Sequence, residues 1–573
     1  MRVIRRAVAL LVAASAMAVS AQPYPDVTRS SLYVPVRDGT KLAVNIYRPA
    51  NGAEPVAERL PVIFVFTPYR ARYRDEQGKV VEAALNDQLA LRSLIRAGYV
   101  VAVADIRGKG ASFGMRRGFQ DRTEANDGHD LVQWLARQPY STGKVGMIGC
   151  SYLGGTTLHT ASTAPPALKA IFVGATDIDK YAFVRNGGIT AQFNTRPDEP
   201  LDVDMASLPV DADIDGSLLK AAVAQHAFNT PMAPLWYGMP YRDSVSRFTG
   251  NAFWQEAGPY PYFQAIRKSG MATYFWGNWL DEPTSQVILE AANLDGKFLA
   301  GAGSHCVPPA GFDFTGEITR YFDHYLKGVA NGIDRAPRAT YWVEGLEGRG
   351  GYVRSDRLPG AASTRQTWFL DGGTSGTSKS ANDGTLSAAP GRPGDDRFTV
   401  NYDLPPADYF AFWPQSMDEK GLSYTSAALT APLKLIGYPV AHVQITADRP
   451  DADVFVYLEQ VPVSGTAEVI AFGRLKLSHR KLGKAPYDVL GLPWHSGLSA
   501  DVAPLPAGDK AMLDIALTPV SRVVPEGARL RFTIAGADPR QRNLQDIKQT
   551  PPPHLTVFRG GTDRSRIDLP VAP

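Results

Sequence analysis

Cysteine is almost missing from this 573-residue chain, which holds only Cys150 and Cys306. That scarcity excludes a small scaffold stapled by several disulfides and any CxxC-type zinc or iron–sulfur site. The nine histidines form no HExxH or HxH pair, so the sequence implies neither a metal nor a cofactor. Long apolar runs are absent too. The nearest candidate, Ala7 to Val19, is short and rich in alanine, and it follows Arg2, Arg5 and Arg6. With Val19-Ser20-Ala21 behind it, this segment reads as a secretory signal over residues 1–21, not as a membrane span. A secreted or periplasmic protein, cut near Ala21, is the expectation. Charge of one sign is lacking as well. The formal net charge of +3 equals the three signal arginines, so the remaining chain is balanced. Balance excludes a basic footprint for nucleic acid and a polybasic membrane anchor. Nothing in the composition fixes an oligomeric state.

What is present is a rhythm. From Leu32 to about Gly328, apolar runs at Val62–Phe66, Tyr99–Ala104, Val145–Ile148, Ala170–Val173, Ala272–Phe275 and Lys297–Ala300 read as buried strands. Helical patterns at Leu85–Ala97, Ala125–Arg137, Thr284–Ala292 and Gly316–Leu326 separate several of them. Continuous apolar strands alternating with amphipathic helices predict an α/β domain with a parallel sheet covered on both faces. Residues 183–264 break the rhythm, with a helix candidate around Leu218–Phe228, and read as a cap over the strand ends. Beyond Gly345 helical periodicity fades. Gly372–Asp396 reads as an exposed connection. Alternating β-branched stretches follow at Ala441–Thr446, Val454–Val461, Val469–Leu477, Met512–Leu517 and Arg529–Ile534, predicting an all-β jelly roll or sandwich over 346–573. The α/β core then comprises 22–182 and 265–345.

The strongest chemical signal is Gly149-Cys150-Ser151-Tyr152-Leu153-Gly154, which follows a buried strand and opens a helix of small residues. It is close to the G-x-S-x-G nucleophile elbow, with the second glycine one place later. A sharp strand-to-helix turn lifts the serine hydroxyl clear of the sheet, and small neighbours permit close backbone approach. Such a serine needs a base and a group that orients the base. Asp281 follows the strand at Ala272–Phe275, and His305 follows the strand at Lys297–Ala300. The order Ser151, Asp281, His305 is the α/β-hydrolase order, and it predicts a catalytic triad on loops at strand ends.

Several blocks together resemble the X-prolyl dipeptidyl-peptidase-like serine hydrolases, a group that includes cocaine esterases, α-amino acid ester hydrolases and glutaryl-cephalosporin acylases. They are Arg37-Asp38-Gly39, Thr67-Pro68-Tyr69, Asp105 to Ser112, Gln138-Pro139-Tyr140, Gly146 to Gly154, Phe322 to Gly328 and Asn331-Gly332-Ile333. The resemblance implies an α/β-hydrolase core with an inserted helical cap and a C-terminal jelly roll. It implies Ser151 as nucleophile, His305 as base, Asp281 as its partner, and an oxyanion hole from the Tyr69 hydroxyl and the Tyr152 N–H. At two places the chain departs from the family. Gly277-Asn278-Trp279-Leu280-Asp281 and Gly301-Ala302-Gly303-Ser304-His305 lack aromatic or rigid supports usual there. Asn278 and the Ala302/Gly303 pair are therefore expected to leave more room near Asp281 and His305, with Asn278 and Trp279 at the substrate pocket. Trp236, Tyr237 and Trp254 fit either an acyl pocket or the core of the cap.

The reading is an exported serine hydrolase that cleaves a small ester or amide, or a short peptide, through an acyl-enzyme. An Xaa-Pro dipeptidyl-peptidase is the alternative, and it needs an acidic cluster for which only Glu282 or Asp198 offers itself. A secreted glycan-binding protein with a vestigial triad is a further one. Asp105-Ile106-Arg107-Gly108 reads as a loop held by an aspartate contact to backbone or arginine. Cys150 and Cys306 flank the nucleophile and the base. A serine and a histidine meeting tip to tip keep their Cα atoms about 8 Å apart, beyond the ~7 Å disulfide limit. Two unpaired, buried thiols are expected.

Overall fold

The computed structural model of the chain describes residues 24–86, 89–190, 198–408, 411–541, 544–561 and 564–573. The signal read over 1–21 lies outside them. Strand Leu60–Thr67 runs parallel between Val100–Asp105 and Ser141–Cys150. Leu168–Gly174, Ala272–Asn278, Lys297–Gly301 and Ala339–Glu344 continue the parallel sheet in that order. At one end Lys41–Asn51 and Asp26–Pro35 add antiparallel strands. At the other, Gly350–Ser355 does the same, so the sheet runs past Gly345, where the composition changes.

Pleating explains the continuous apolar runs. Val62, Phe64 and Phe66 enter one core, while Ile63 and Val65 enter a second core on the opposite face. Successive side chains point to opposite faces, so a strand covered on both sides needs apolar residues at every position. The fold is the α/β-hydrolase arrangement expected.

Ala272–Asn278 pairs directly with Leu168–Gly174, although 175–271 lie between them in sequence. That long excursion therefore leaves the sheet at one strand end and returns beside it. It carries short helices, among them Lys180–Val184, Ser217–His226, Met232–Tyr237 and Phe253–Ala257, and a small hairpin of Arg185–Asn186 with Ile189–Thr190. Its own core joins Tyr181, Val184, Trp236, Phe253 and Trp254.

The C-terminal part is built on antiparallel pairing around a separate core. Strand Val440–Ala447 alternates between buried and half-buried residues, as a strand with one covered face should. Strand Asp453–Val461 is covered on both faces. Val454, Val456 and Leu458 fill the β core, while Phe455 and Tyr457 pack with Ile189 of the insertion's hairpin. Gly372–Asp396 differs from the expected exposed connection. Gly384–Ser387 within it is a strand, paired with Thr364–Asp371 and with Leu422–Ser426. Backbone pairing in a sheet is indifferent to the small polar side chains that made the segment read as a loop.

Helix Arg122–Ala136 starts at Asp121, whose carboxylate accepts from the N–H groups of Thr123 and Glu124. Glu124 itself is buried and accepts the Tyr152 phenol at 2.8 Å. Burial, reinforced by nearby Asp121, pushes its carboxyl up to about 8. An unfolded glutamic acid ionises near 4.5, so the fold favours the protonated form. Stability from this group is greatest below that value and falls as pH rises towards 8. Glu124→Gln keeps the hydrogen bond and removes the titration. Its melting temperature should fall less than wild type between pH 6 and pH 9, measured as a pH series of thermal unfolding. Parallel curves would show that Glu124 ionises normally.

Candidate active site

Strand Ser141–Cys150 turns into helix Tyr152–Ala161 through Ser151, at φ 60° and ψ −129°. A non-glycine residue held there stores backbone strain, as a nucleophile elbow does. The flanking glycines are required by contact. A Cβ on Gly149 would lie 2.2 Å from the Leu153 carbonyl, and one on Gly154 would lie 2.5 Å from the Gly174 oxygen. Tyr152 opens the helix, so its N–H has no carbonyl one turn earlier within the helix to bond.

Asp281 and His305, on the loops after two neighbouring strands, are in contact. His305 Nδ1 lies 3.1 and 3.0 Å from the two Asp281 carboxylate oxygens, and the Asp281 side chain is fully buried. An ionised carboxylate only accepts, so Nδ1 carries the proton and Nε2 is left as the basic nitrogen. Two contacts that sequence reasoning missed fix this ring. Asn278 is fully buried and donates both amide hydrogens, at 2.7 and 2.8 Å, to the carbonyls of Ser304 and Val307. Those carbonyls bracket His305, so Asn278 clamps the His305 loop. From the β domain, Phe412 stacks on the imidazole with centroids 4.2 Å apart.

Cys150 and Cys306 form a disulfide with a Cα–Cα distance of 5.8 Å, which overturns the expectation of two free thiols. The separation between the Cα atoms of a serine and a histidine does not carry over to their neighbours. Ser151 at φ 60° and Cys306 at φ 55° are both left-handed, so each chain reverses and the flanking residues make the close approach. The strands that precede the two cysteines lie three places apart in the sheet, about 14 Å at 4.8 Å per strand. The His305 loop therefore folds back across two strand ends, and the bridge holds it on the elbow.

Tyr69 is half exposed, with its ring edge-on to Tyr152 at 6.3 Å. Its loop is tied down by Asp105, which accepts from Ala71 N–H at 2.6 Å and Ala111 N–H at 3.0 Å. Burial pushes the Asp105 carboxyl up to about 6. Arg107 pairs with Asp127 at 2.6 Å and Asp38 at 2.9 Å, so this loop is a scaffold, as read.

The pocket residues fare differently. Trp236 and Trp254 stack on each other inside the insertion's core, at 3% and 1% exposure. Trp279 is buried among Phe298 and Tyr341 and donates its indole N–H to the Trp342 carbonyl. Asn278 uses its amide hydrogens on the His305 loop, while its Oδ1 has no hydrogen-bond partner among the described residues. Composition cannot separate a lining aromatic from a packed one, because both are large and apolar. Tyr237, by contrast, is 40% exposed.

Two outcomes follow from the clamp. Intact mass without reductant should fall short of the two-thiol mass by two hydrogens, and reductant should restore it. Asn278→Ala leaves two loop carbonyls without a partner and should lower kcat by up to about 10²-fold, the cost of a misplacement near 1 Å. Steady-state kinetics check this, and an unchanged kcat would free the loop from Asn278.

Comparison with known proteins agrees with this layout. Residues 38–306 match the X-Pro dipeptidyl-peptidase (S15) family, and residues 331–567 match the C-terminal non-catalytic domain of X-Pro dipeptidyl-peptidases. A protein of Mycobacterium bovis provisionally named a serine esterase is 30% identical, over 96% of this chain and 97% of its own. The cocaine esterase of a Rhodococcus species is 25% identical, over 79% and 83%. The crystal structure of a CocE/NonD family hydrolase from Staphylococcus aureus superposes with a TM-score of 0.72 at 17% identity, covering 95% of this chain and 93% of that one. With an elbow serine, a buried aspartate–histidine pair and a sheet of this order, the chain belongs to the X-Pro dipeptidyl-peptidase-like family of serine hydrolases.

Proposed function

We propose that this protein is an exported carboxylic ester hydrolase working through an acyl-enzyme on Ser151. The observation that carries the reading is the His305–Asp281 pair, held beside the elbow by the Cys150–Cys306 bridge. As Ser151 Oγ bonds to the ester carbon, its proton passes to His305 Nε2. The imidazolium then gives that proton to the departing alcohol oxygen. Water, deprotonated by the same nitrogen, attacks the acyl-serine and releases the acid. Buried Asp281 keeps the ring in the useful tautomer and stabilises its charged form. The Tyr152 N–H and the Tyr69 hydroxyl are the donors for the oxyanion, which exists only in the tetrahedral state. No step draws on a metal or cofactor.

Ester cleavage is favoured over dipeptide release because the two acids proposed for an ammonium site are already neutralised. Glu282 pairs with Arg474 at 2.7 Å, and Asp198 pairs with Arg116 at 3.3 Å. Export is supported by the bridge itself, since disulfides persist in oxidising compartments. Among the described residues no helix is long and apolar enough to cross a membrane.

A panel of p-nitrophenyl esters, Xaa-Pro anilides and β-lactam side-chain amides tests the substrate class; turnover confined to the anilides would sink the ester reading. Ser151→Ala should fold normally and lose labelling by a fluorophosphonate together with essentially all turnover. Retention of about a tenth of the rate would remove Ser151 from its role, since triad losses run to many orders of magnitude. Tyr69→Phe should lose about 10²–10³ in kcat, the cost of one oxyanion donor, with KM little changed.

A further inference from the structure

A cavity of about 160 Å³ lies where the insertion's hairpin, helix Thr284–Leu294 and the β domain meet. Ser151, Tyr69 and His305 are not among its lining residues, although Glu282, next to Asp281, is. Three buried arginines line it. Arg242 is matched by Asp179 at 2.7 Å, and Arg474 by Glu282 at 2.7 Å. Among the described residues Arg185 has no such match: its terminal nitrogens reach the Trp236 carbonyl at 3.0 Å and the Thr190 hydroxyl at 3.4 Å, and its Nε finds no partner there. Burial pulls its pKa below the usual arginine value, and among the described residues only the phenols of Tyr181 and Tyr237 act in the other direction. Arg185 is 9% exposed, so a guanidinium stands nearly dry without a counter-charge. A buried, unmatched charge is costly, and in a cavity wall it marks the place for an anion.

Beside it stands a second unpartnered group. His479 is 7% exposed and, among the described residues, its Nε2 has no hydrogen-bond partner. Ser478 gives its hydroxyl proton to Asp451, so its oxygen accepts from His479 Nδ1, 3.0 Å away. The proton on a neutral His479 is thus on Nδ1, and Nε2 is an acceptor. Burial holds this imidazole down to about 4, with Lys476, Arg185 and His495 adding to the effect, so it is neutral at pH 7. Gly188 approaches the ring so closely that a Cβ there would lie 2.6 Å from it. The remaining walls include Tyr181, Phe472, Tyr487 and Trp494. The volume is close to that of an engineered cavity, about 150 Å³, that takes up benzene.

We propose that this cavity is a binding site, separate from the triad, for a small aromatic carboxylate that also carries a hydrogen-bond donor. The carboxylate sits on the Arg185 guanidinium, the donor meets His479 Nε2, and the ring lies among the aromatic walls. Pockets of this build are apolar with a few fixed polar groups that set orientation.

The test is calorimetric titration of the full-length protein with the three hydroxybenzoate isomers and with benzoate. At least one isomer should bind saturably at one site and more tightly than benzoate. Arg185→Gln should weaken it at least about tenfold, the scale of a charge-assisted hydrogen bond. Because that variant removes a buried charge and can alter folding, Leu289→Phe narrows the same cavity while leaving both polar groups, and it should weaken binding as well. Binding should persist after Ser151 is blocked by a fluorophosphonate. Loss of binding on that block, or unchanged binding in both variants, would place the ligand elsewhere and overturn the proposal. No saturation by any isomer near 10 mM, weaker than about −3 kcal/mol, would mean that the cavity holds only water and would overturn it too.

Discussion

The active-site region depends on one covalent contact that reaches across the sheet. The nucleophile elbow and the His305 loop start from strands separated by two others, yet Cys150 and Cys306 have Cα atoms 5.8 Å apart. A loop that folds back over two strand ends has little backbone pairing of its own to hold it. Three devices supply what the backbone lacks: the bridge, the two hydrogen bonds from Asn278, and the Asp281 carboxylate on Nδ1. Each acts on a residue within two positions of His305 or on its ring. The strain at Ser151 is tolerable because the elbow is over-determined in the same way, by Gly149 and Gly154 against neighbouring backbone.

The C-terminal β domain matches a domain described as non-catalytic, but it takes part in the geometry of this site. Phe412 stacks on the His305 imidazole. Arg474, from the strand Glu468–Lys476, neutralises Glu282 beside Asp281. Phe455 and Tyr457 close over Ile189 of the insertion's hairpin. A face of the β domain therefore sets the position of the His305 ring and forms one wall of the Arg185 cavity. Its role here is positioning, exerted through packing and charge.

Buried acids form a second layer beneath the site. Asp105 secures the loop of Tyr69, and Glu124 secures the ring of Tyr152. Both are pushed up by burial, to about 6 and about 8. Carboxyls whose ordinary ionisation is suppressed by desolvation hold neighbours through hydrogen bonds at the cost of some stability at alkaline pH.

The buried strands of the parallel sheet, the sheet class, the elbow and the order of the proposed triad were all legible in the sequence alone. These rest on local patterns: residues at every strand position feed two cores, and a G-x-S-x-x-G turn admits no larger neighbours at its glycines. Its silence began where contacts join distant segments. The disulfide is invisible to spacing because the approach of the two cysteines depends on positive-φ turns at Ser151 and Cys306. Asn278, expected at a pocket, became a loop clamp because two carbonyls far along the chain arrive at its amide. Trp236 and Trp254, compatible with pocket or core, were resolved to core by stacking on each other. Phe412 and Arg185 carry no local signal at all. Their partners, or the lack of one, exist only once the β domain is docked, since burial and charge balance are properties of the packed molecule and not of the chain.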